Sequence, residues 1–583
     1  MPSLKTIPLL LAIAVVATSA APLGDTPPRS AAAMPAVTAF QHAVDQFIEA
    51  ELKLYPERAT ALGDHRFDAR VDDDSATGIA QIVSHAKKWA KIFHAFDANS
   101  LSPHDEADRE WLLANIDAEL LWTEGMRSYE RDPGMYLPTA AIHKLITRNF
   151  APARVRMRSV TAREKAGLAN LRAARANLKP ERVPQVAIDI VLEQMPATLA
   201  FFRDSLPAAF DKEPEGQDKE AFREANARLI AAIEDYGKWL SSTLRPHARG
   251  GYAIGAHAYR RMLADEDMVD TPLDRLEQIG ENEMRRLQGQ FAATAKIIDP
   301  MHSPGGVAST LGREHPDADK VVLSVSVGLA SIRAYVVSHH LATIPSDVQP
   351  IVAETPPFMR ATTFASMDSP GPFERTTEAY FYVTLPDPAW PKLKQEQLLA
   401  FYSPPTISDT SVHEVYPGHY VQFLNNRLNH DLARAIYDSG ADTEGWALYC
   451  EQMILDEGLH NKDPRFRLAQ LQMALLRACR YLVAIRMHTR GMTVAQATAF
   501  FEKNAYQTHH NAEVEALRGT DDPGYLRYQL GKLMILKLRQ DLRRKEGATF
   551  NLGEFHDAFL SEGAIPVPLI RRAMLGPSSG PPL

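Results

Sequence analysis

Apolar residues recur at helical spacing along nearly all of this 583-residue chain after residue 37. Near the start, four of them follow the three-and-four spacing that places side chains on one helical face: Phe40, Val44, Phe47 and Ile48. The pattern returns from 392 to 575 and in five earlier stretches: 105–125, 160–177, 186–204, 218–243 and 272–296. Strand-like alternation is scarce. The spacing therefore predicts a mainly α protein.

One stretch departs from the helical pattern. Residues 378–386, EAYFYVTLP, combine aromatic and β-branched side chains, which predicts a short strand just before the histidine motif described below. We interpret 37–575 as one helical unit of two lobes, with a lobe boundary near 245–270, around RPHARGGYAIG. The final stretch, 576–583, predicts a flexible tail.

The N-terminus has the layout of a secretory signal peptide. Lys5 precedes an apolar run from Ile7 to Ala17, and small residues follow up to residue 21. The run is shorter than the roughly 20 residues that cross a membrane. We therefore expect 1–21 to be removed and the mature chain to be exported, to the periplasm or the medium. Residues 22–36, rich in Pro, Ala and Ser, predict a disordered linker.

The composition and residue patterns exclude several other classes of protein and of metal site. No cysteine follows the apolar run, which excludes a bacterial lipoprotein anchor, and no later stretch looks long and apolar enough to span a bilayer. A net charge of −8 with well-mixed signs argues against a nucleic-acid partner. Cys450 and Cys479 are the two cysteines, too few for a cysteine-rich zinc site. Export permits a disulfide between them, but both lie in helical patterns, so their pairing is left open.

The stretch SVHEVYPGHYVQF, residues 411–423, resembles a zinc-binding helix with an insertion. In His-Glu-x-x-His the histidines are four residues apart and share one helical face. Here His413 and His419 are six apart, a turn of about 240°, so a straight helix cannot direct both to one ion. Pro417 cannot donate a backbone hydrogen bond, and Gly418 permits unusual backbone angles. The sequence therefore predicts an interrupted helix that returns His419 to the face of His413.

A third ligand is predicted in DTEGWALYCEQMILDEG. This segment is apolar on two helical faces, which predicts burial, and one face also carries Glu444 and Glu451. A buried carboxylate is costly unless it is paired or binds a metal. Two histidines and Glu444 with an open fourth position make a catalytic zinc arrangement, and Glu414 is then the general base. Glu451 is predicted to orient a histidine ligand.

A competing interpretation of the motif needs no metal. SVHE also matches a capping box, in which Ser411 is the N-cap and Glu414 reaches back to it. His413 would then be an exposed residue in the first turn of a helix.

Three blocks along the chain carry a family resemblance. HEVYPGHYVQ, EGWALYCE and DPGYLRYQLGKLMILKLR resemble, in the same order, a bacterial family known as domain of unknown function 885. Its members look like helical zinc peptidases, distantly similar to thimet oligopeptidase, angiotensin-converting enzyme and Taq carboxypeptidase. The resemblance implies a zincin-like fold and one Zn²⁺ ion held by His413, His419 and Glu444. It also implies Glu414 as the base. The family often has a second histidine where this chain has Tyr420.

The last block and the predicted strand supply further candidates. Tyr528 and Arg539 share a helical face about 16 Å apart, and Gly531 between them permits close approach of another element. Because a tyrosine in related peptidases stabilises the oxyanion, Tyr528 is predicted to do so here. Arg539 is predicted to bind a substrate carboxylate. Tyr382, together with Tyr380, is predicted to line a cleft in which the strand binds peptide backbone by edge addition, and packing is the competing role for both side chains.

These features together predict an exported zinc metallopeptidase that acts on short peptides. Two alternatives are a zinc-dependent hydrolase of other amides or esters and a non-catalytic periplasmic binding protein on a peptidase-like scaffold. The sequence does not define peptide length, end preference or oligomeric state.

Overall fold

Helices dominate the part of the chain that the computed structural model describes, residues 39–356, 360 and 364–583. The signal peptide and linker predicted for 1–36 lie outside these residues. Helices make up 71% of the structure and strands 3%, which confirms the predicted mainly α class. Phe40–Leu583 form one compact unit.

From residue 39 onward, thirteen described α-helices precede the small sheet: α1 Ala39–Leu54, α2 Pro56–Leu62, α3 Ala76–His94, α4 Pro103–Leu120, α5 Thr139–Thr147, α6 Ala153–Asn177, α7 Gln185–Ala200, α8 Leu206–Ala208, α9 Gln217–Trp239, α10 Gly255–Asp267, α11 Leu273–Ile298, α12 Pro304–Gly312 and α13 Val321–Ser338. Eleven follow it: α14 Lys392–Leu399, α15 Pro404–Glu414, α16 His419–Leu428, α17 Leu432–Ala435, α18 Gly440–Asp456, α19 Pro464–Thr489, α20 Val494–Ala505, α21 His509–Asp521, α22 Arg527–Glu546, α23 Leu552–Ser561 and α24 Val567–Leu575. Short 3₁₀ and π turns join or extend several of them.

The sheet has three short strands, β1 Ile351–Glu354, β2 Ala365–Asp368 and β3 Tyr380–Val383. The predicted strand at 378–386 is confirmed by β3. However, β3 is central: it pairs in parallel with β1 and antiparallel with β2. Because both of its edges are occupied, the predicted edge addition of peptide to this strand is wrong. Alternation in the sequence indicates a strand but does not reveal its neighbours.

The largest core surrounds α19, which packs against α11, α15, α20, α21 and α22. A second core lies among α5–α9 and ends at Ala248. A third joins α1, α3 and α4 to Ala433 and Ile436, which follow the histidine motif. The lobe boundary near 245–270 stays a prediction. In the predicted tail, the Gly580 carbonyl accepts a hydrogen bond from Arg571 at 3.2 Å.

The structure corrects one prediction from the sequence and answers one open question. Three helical stretches are long and apolar enough to cross a membrane by length and composition: Gln185–Ala208, Ala318–Ser338 and Pro464–Thr489. The last of these is 83% buried, because a helix that is apolar all round also suits a protein core. The prediction that no later stretch is long and apolar enough is therefore wrong.

Cys450 and Cys479 are both free and buried, which answers the question of their pairing.

Candidate metal centre

The helix that carries the histidine motif is interrupted where the sequence predicts. Helix α15 ends at Glu414 and α16 begins at His419. The Gly418 N–H donates to the Val412 carbonyl at 3.1 Å, which folds the chain back onto the end of α15. A Cβ atom on Gly418 would lie 1.8 Å from the His413 carbonyl oxygen, so a side chain does not fit there.

The next helix fixes the interrupted segment in place. The Trp446 indole N–H donates to the Pro417 carbonyl at 2.9 Å, and Trp446 is fully buried in α18. Glu444 lies on the same helix two residues earlier. One rigid element therefore positions both the break and the third predicted ligand.

The capping-box interpretation of this motif is wrong. Helix α15 starts at Pro404, so Ser411 lies in its last turn instead of at an N-cap. His413 is only 4% exposed. The helix starts seven residues before Ser411, and the motif lies at its end. The four residues SVHE alone do not reveal where the helix starts.

Three ligand atoms converge beside the break. The Nε2 atoms of His413 and His419 lie 3.6 and 3.5 Å from Oε2 of Glu444. All three groups offer ligand atoms within 4.8 Å of one another. Four ligands at zinc bond lengths of about 2.0–2.1 Å in a tetrahedron are about 3.4 Å apart. The donor types and their spacing therefore fit a Zn²⁺ ion bound by two histidines and one carboxylate.

The electrostatics of this cluster favour positive charge. Burial opposes the charged form of His413, but hydrogen bonds to Glu444 and Glu451 raise its pKa to about 10. Burial also opposes the Glu444 carboxylate, yet hydrogen bonds from His413 and His419 bring its pKa well below the usual range. A proton or a metal cation among these groups is thus stabilised by the surrounding carboxylates.

A second layer of buried polar groups supports His413. Its Nδ1 donates to Oε1 of Glu451 at 2.7 Å, the orienting contact that the sequence predicts for Glu451. Asp409 and Lys532 are also buried near Glu451, and neither side chain has a hydrogen-bond partner among the described residues. Sequence reasoning missed both. Asp409 precedes His413 by four residues on one helical face, so the spacing could have identified it.

Glu414 faces a small cavity of about 70 Å³ beside the ligands. Asp409, His413 and Arg477 also line this cavity, and Phe364 contributes to its apolar side. Glu414 is 8% exposed. A carboxylate next to a ligand and bordering a cavity is positioned to accept a proton from a water molecule there.

Tyr528 reaches the site because α18 and α22 touch through glycines. A Cβ atom on Gly531 would lie 1.6 Å from the Ala441 carbonyl, and one on Gly445 would lie 2.5 Å from the Gly531 Cα. The predicted close approach at Gly531 is confirmed. The Tyr528 ring stacks on His413 at 6.2 Å, and burial raises the pKa of its hydroxyl. The hydroxyl therefore stays protonated and can donate a hydrogen bond.

Three arginines that the sequence analysis did not single out surround Tyr528. The guanidinium groups lie 5.1–5.9 Å from its ring and belong to Arg477, Arg480 and Arg518. Arg518 donates to the Tyr528 hydroxyl at 3.3 Å, and Arg480 forms a two-pronged pair with Glu515 at 2.7 Å. Arg477 and Arg480 precede Tyr528 by 51 and 48 residues, and Arg518 precedes it by ten but lies on α21, so helical spacing does not suggest these contacts.

Two predicted site residues lie in other environments. The Arg539 guanidinium is 3.2 Å from the Tyr449 hydroxyl and 3.6 Å from Glu457. Tyr382 is 7% exposed and stacks on Tyr380 at 5.6 Å within β3. These contacts do not connect either residue to the ligands, and their substrate-binding roles stay predictions.

A family model described as a bacterial protein of unknown function, DUF885, matches residues 56–574. The chain belongs to the DUF885 family. The match includes all of the residues of the metal centre. Among curated proteins, none matches the sequence.

Solved structures resemble this DUF885 protein over nearly its whole length. One, a "putative lipoprotein of unknown function" from Shewanella oneidensis, is 25% identical with a TM-score of 0.77 and covers 92% of this chain and 100% of its own. Another, a "putative lipoprotein" from Colwellia psychrerythraea, is 18% identical with a TM-score of 0.75 and covers 92% and 99%. Neither description names an activity.

Proposed function

We propose that this protein is an exported zinc-dependent peptidase that hydrolyses short peptides. The observation that carries the proposal is the convergence of His413, His419 and Glu444, with Glu414 beside the first ligand. Export is supported by the N-terminal apolar run and by the description of structural neighbours as lipoproteins.

The two histidines and Glu444 would hold the ion and leave a further position open. Zinc, when bound, supplies Lewis-acid chemistry and lowers the pKa of water. Glu451 keeps the ring of His413 in orientation through the 2.7 Å hydrogen bond to Nδ1. This contact also places the proton on Nδ1 and leaves Nε2 as the ligand atom.

The other side chains of the site have distinct roles in the proposed reaction. Glu414 accepts a proton from the attacking water and passes it to the leaving amine. The Tyr528 hydroxyl, which burial keeps protonated, donates a hydrogen bond to the oxyanion that forms from the peptide carbonyl. Arg518 holds that hydroxyl in position through its 3.3 Å contact.

Glu414→Gln tests the proposal most directly. The variant keeps the shape of the side chain and every metal ligand but cannot accept a proton. We expect peptide turnover to fall by about 10²–10⁴-fold with metal content unchanged. Metal is measured by elemental analysis, and cleavage by mass spectrometry of a digested peptide library, with ester substrates assayed in parallel.

The matched control is Glu234→Gln, which removes a partly exposed carboxylate of α9 paired with Arg203 and should leave turnover unchanged. Unchanged cleavage in Glu414→Gln would contradict the role of Glu414. A wild-type protein that binds zinc and hydrolyses esters but no peptide would favour the alternative hydrolase.

A further inference from the structure

A second, larger cavity of about 390 Å³ reaches the start of α18, the helix that carries Glu444. Helices α1–α4 supply most of its wall, and the chain just before and at the start of α18 supplies another part. Gly440 lines the cavity, and Glu444 follows four residues later, a rise of about 6 Å along the helix. A group bound in the cavity is therefore near the ligands.

The cavity wall carries an excess of negative charge. Its carboxylates are Glu51, Glu119, Glu266 and Asp438, and its guanidinium groups are Arg58 and Arg527. Both arginines already have acidic partners. Arg58 pairs with Glu51 at 3.2 Å, while Arg527 pairs with Glu266 and, at 2.7 Å, with Asp267.

Asp438 is the carboxylate without a partner. No described residue donates a hydrogen bond to its side chain or lies within ion-pair distance of it. Its side chain is exposed, and it lines the cavity. The nearest electrostatic influences are of both signs, with Arg527 and Arg58 opposed by Glu444 and Asp267. A carboxylate that lines a cavity and has no ion-pair partner in the described chain is free to pair with a cation from outside it.

The aromatic residues of the cavity suit the same kind of ligand. The rings of Tyr55 and Tyr437 already attract Arg58, at 4.7 and 5.5 Å. Trp111 packs edge-on against Tyr437 at 6.4 Å and is 1% exposed. Its indole N–H has no acceptor in the described part of the chain, which leaves it available to a carbonyl oxygen.

We propose that Asp438 binds a cationic nitrogen of the peptide substrate and thereby selects where the chain is cut. This inference rests on the proposed peptidase function. Asp438 precedes Glu444 by six residues, so a nitrogen held there is within a few residues of a bond cleaved at the metal centre. An N-terminal α-ammonium and a lysine side chain share this chemistry.

The test compares wild type with Asp438→Asn on three matched peptides. One has a free N-terminus and neutral side chains, one is the same peptide N-acetylated, and one is N-acetylated with a lysine near its start. In wild type we expect a cationic peptide to be preferred by about fivefold in kcat/KM, the gain typical of an ion pair with an exposed carboxylate. In Asp438→Asn we expect that preference to disappear, mainly through KM, with unchanged metal content and unchanged cleavage of the neutral acetylated peptide.

Two variants guard against a structural explanation. Glu119→Gln removes a cavity carboxylate that already accepts from the Thr123 hydroxyl at 2.6 Å, and it should preserve the preference. Asp438→Ser is assayed with Asp438→Asn, so that poor folding of one variant does not prevent the test.

Each outcome has a defined meaning. Loss restricted to the free-amino peptide identifies the α-ammonium as the ligand, and loss restricted to the lysine peptide identifies the side chain. An equal preference in wild type and both Asp438 variants overturns the inference but leaves the peptidase proposal intact. A wild-type protein that cleaves none of the peptides, nor any member of a library, overturns both.

Discussion

Two groups of side chains in this molecule each bring three metal-type ligands within 4.8 Å of one another. The central group is His413, His419 and Glu444, and the outer group is His104, Asp108 and Asp431. By the distances between ligand atoms alone, the two groups are equivalent candidates for a metal site. Their surroundings differ in the source of the positive charge that balances the carboxylates.

In the outer group the chain supplies this charge itself. The Arg434 guanidinium is 2.7 Å from Asp108, 3.7 Å from Asp431 and 2.6 Å from Glu562. His104 is 2.8 Å from Asp431, but 57% of its side chain is exposed. The carboxylates are therefore already paired, and a metal ion would have to compete with a buried arginine.

The central group has no such arginine. Among the described residues, only histidines lie within ion-pair distance of Glu444. Both histidines are buried, and Glu451 orients one of them. Ligand spacing must therefore be weighed together with local charge, because a site that already contains a cation has less need of a metal.

The largest expected difference between the groups concerns metal content. We expect His413→Ala to lose its bound zinc and its peptidase activity, since one of three protein ligands is gone. His104→Ala should keep both, because the outer group is not the proposed metal site. Elemental analysis after dialysis and the peptide assay measure the two effects. Stoichiometric zinc in His413→Ala, or loss of zinc in His104→Ala, would contradict the assignment of the metal site to the central group.

The next largest effect is on folding stability, and here we expect the outer group to be the one affected. Arg434→Met leaves Asp108 and Asp431 without their buried counter-charge, so we expect a loss of about 3–5 kcal/mol in the free energy of unfolding. Burial raises the pKa of Asp108 to about 7, so the loss should be larger at pH 8 than at pH 6.

Urea unfolding at both pH values measures the effect of Arg434→Met. Arg544→Met removes an exposed arginine paired with Asp541 and should cost less than about 1 kcal/mol. Zinc content should be normal in both variants. A loss no larger than that of Arg544→Met would show that Arg434 is not the essential cation of the outer group.

The smallest effect is the pH dependence that His104 contributes. The hydrogen bond to Asp431 raises the pKa of His104 above its unfolded value near 6.5, with Asp108 adding to the shift and Arg434 opposing it. Such a histidine stabilises the fold below pH 6.5, and the contribution is lost as pH rises through the folded pKa. Because its side chain is largely exposed, we expect less than about 1 kcal/mol.

The measurement is the difference in unfolding free energy between wild type and His104→Gln. It should be largest near pH 6 and shrink toward pH 9. A difference that grows with pH would mean that His104 is neutral in the folded protein and that its contacts have another origin.

Local sequence patterns predicted much of the fold and of the central group. Helical spacing predicted the mainly α class, and alternation predicted β3. Pro417 and Gly418 predicted the break between His413 and His419, because a missing N–H and a missing side chain are local properties of the chain. Glu444 and Glu451 could be predicted because polar residues on an apolar helical face require a reason for burial.

The helices, the position of the break and the residue types that could bind a metal can be predicted from the sequence, since these depend on neighbours within a few residues. Which of these residues meet depends on the tertiary structure. It placed Arg434 among the carboxylates of the outer group, Tyr528 against His413 and Asp438 in a cavity without a partner. Those positions depend on contacts between segments hundreds of residues apart. Such contacts do not produce a periodic pattern of residues in the sequence.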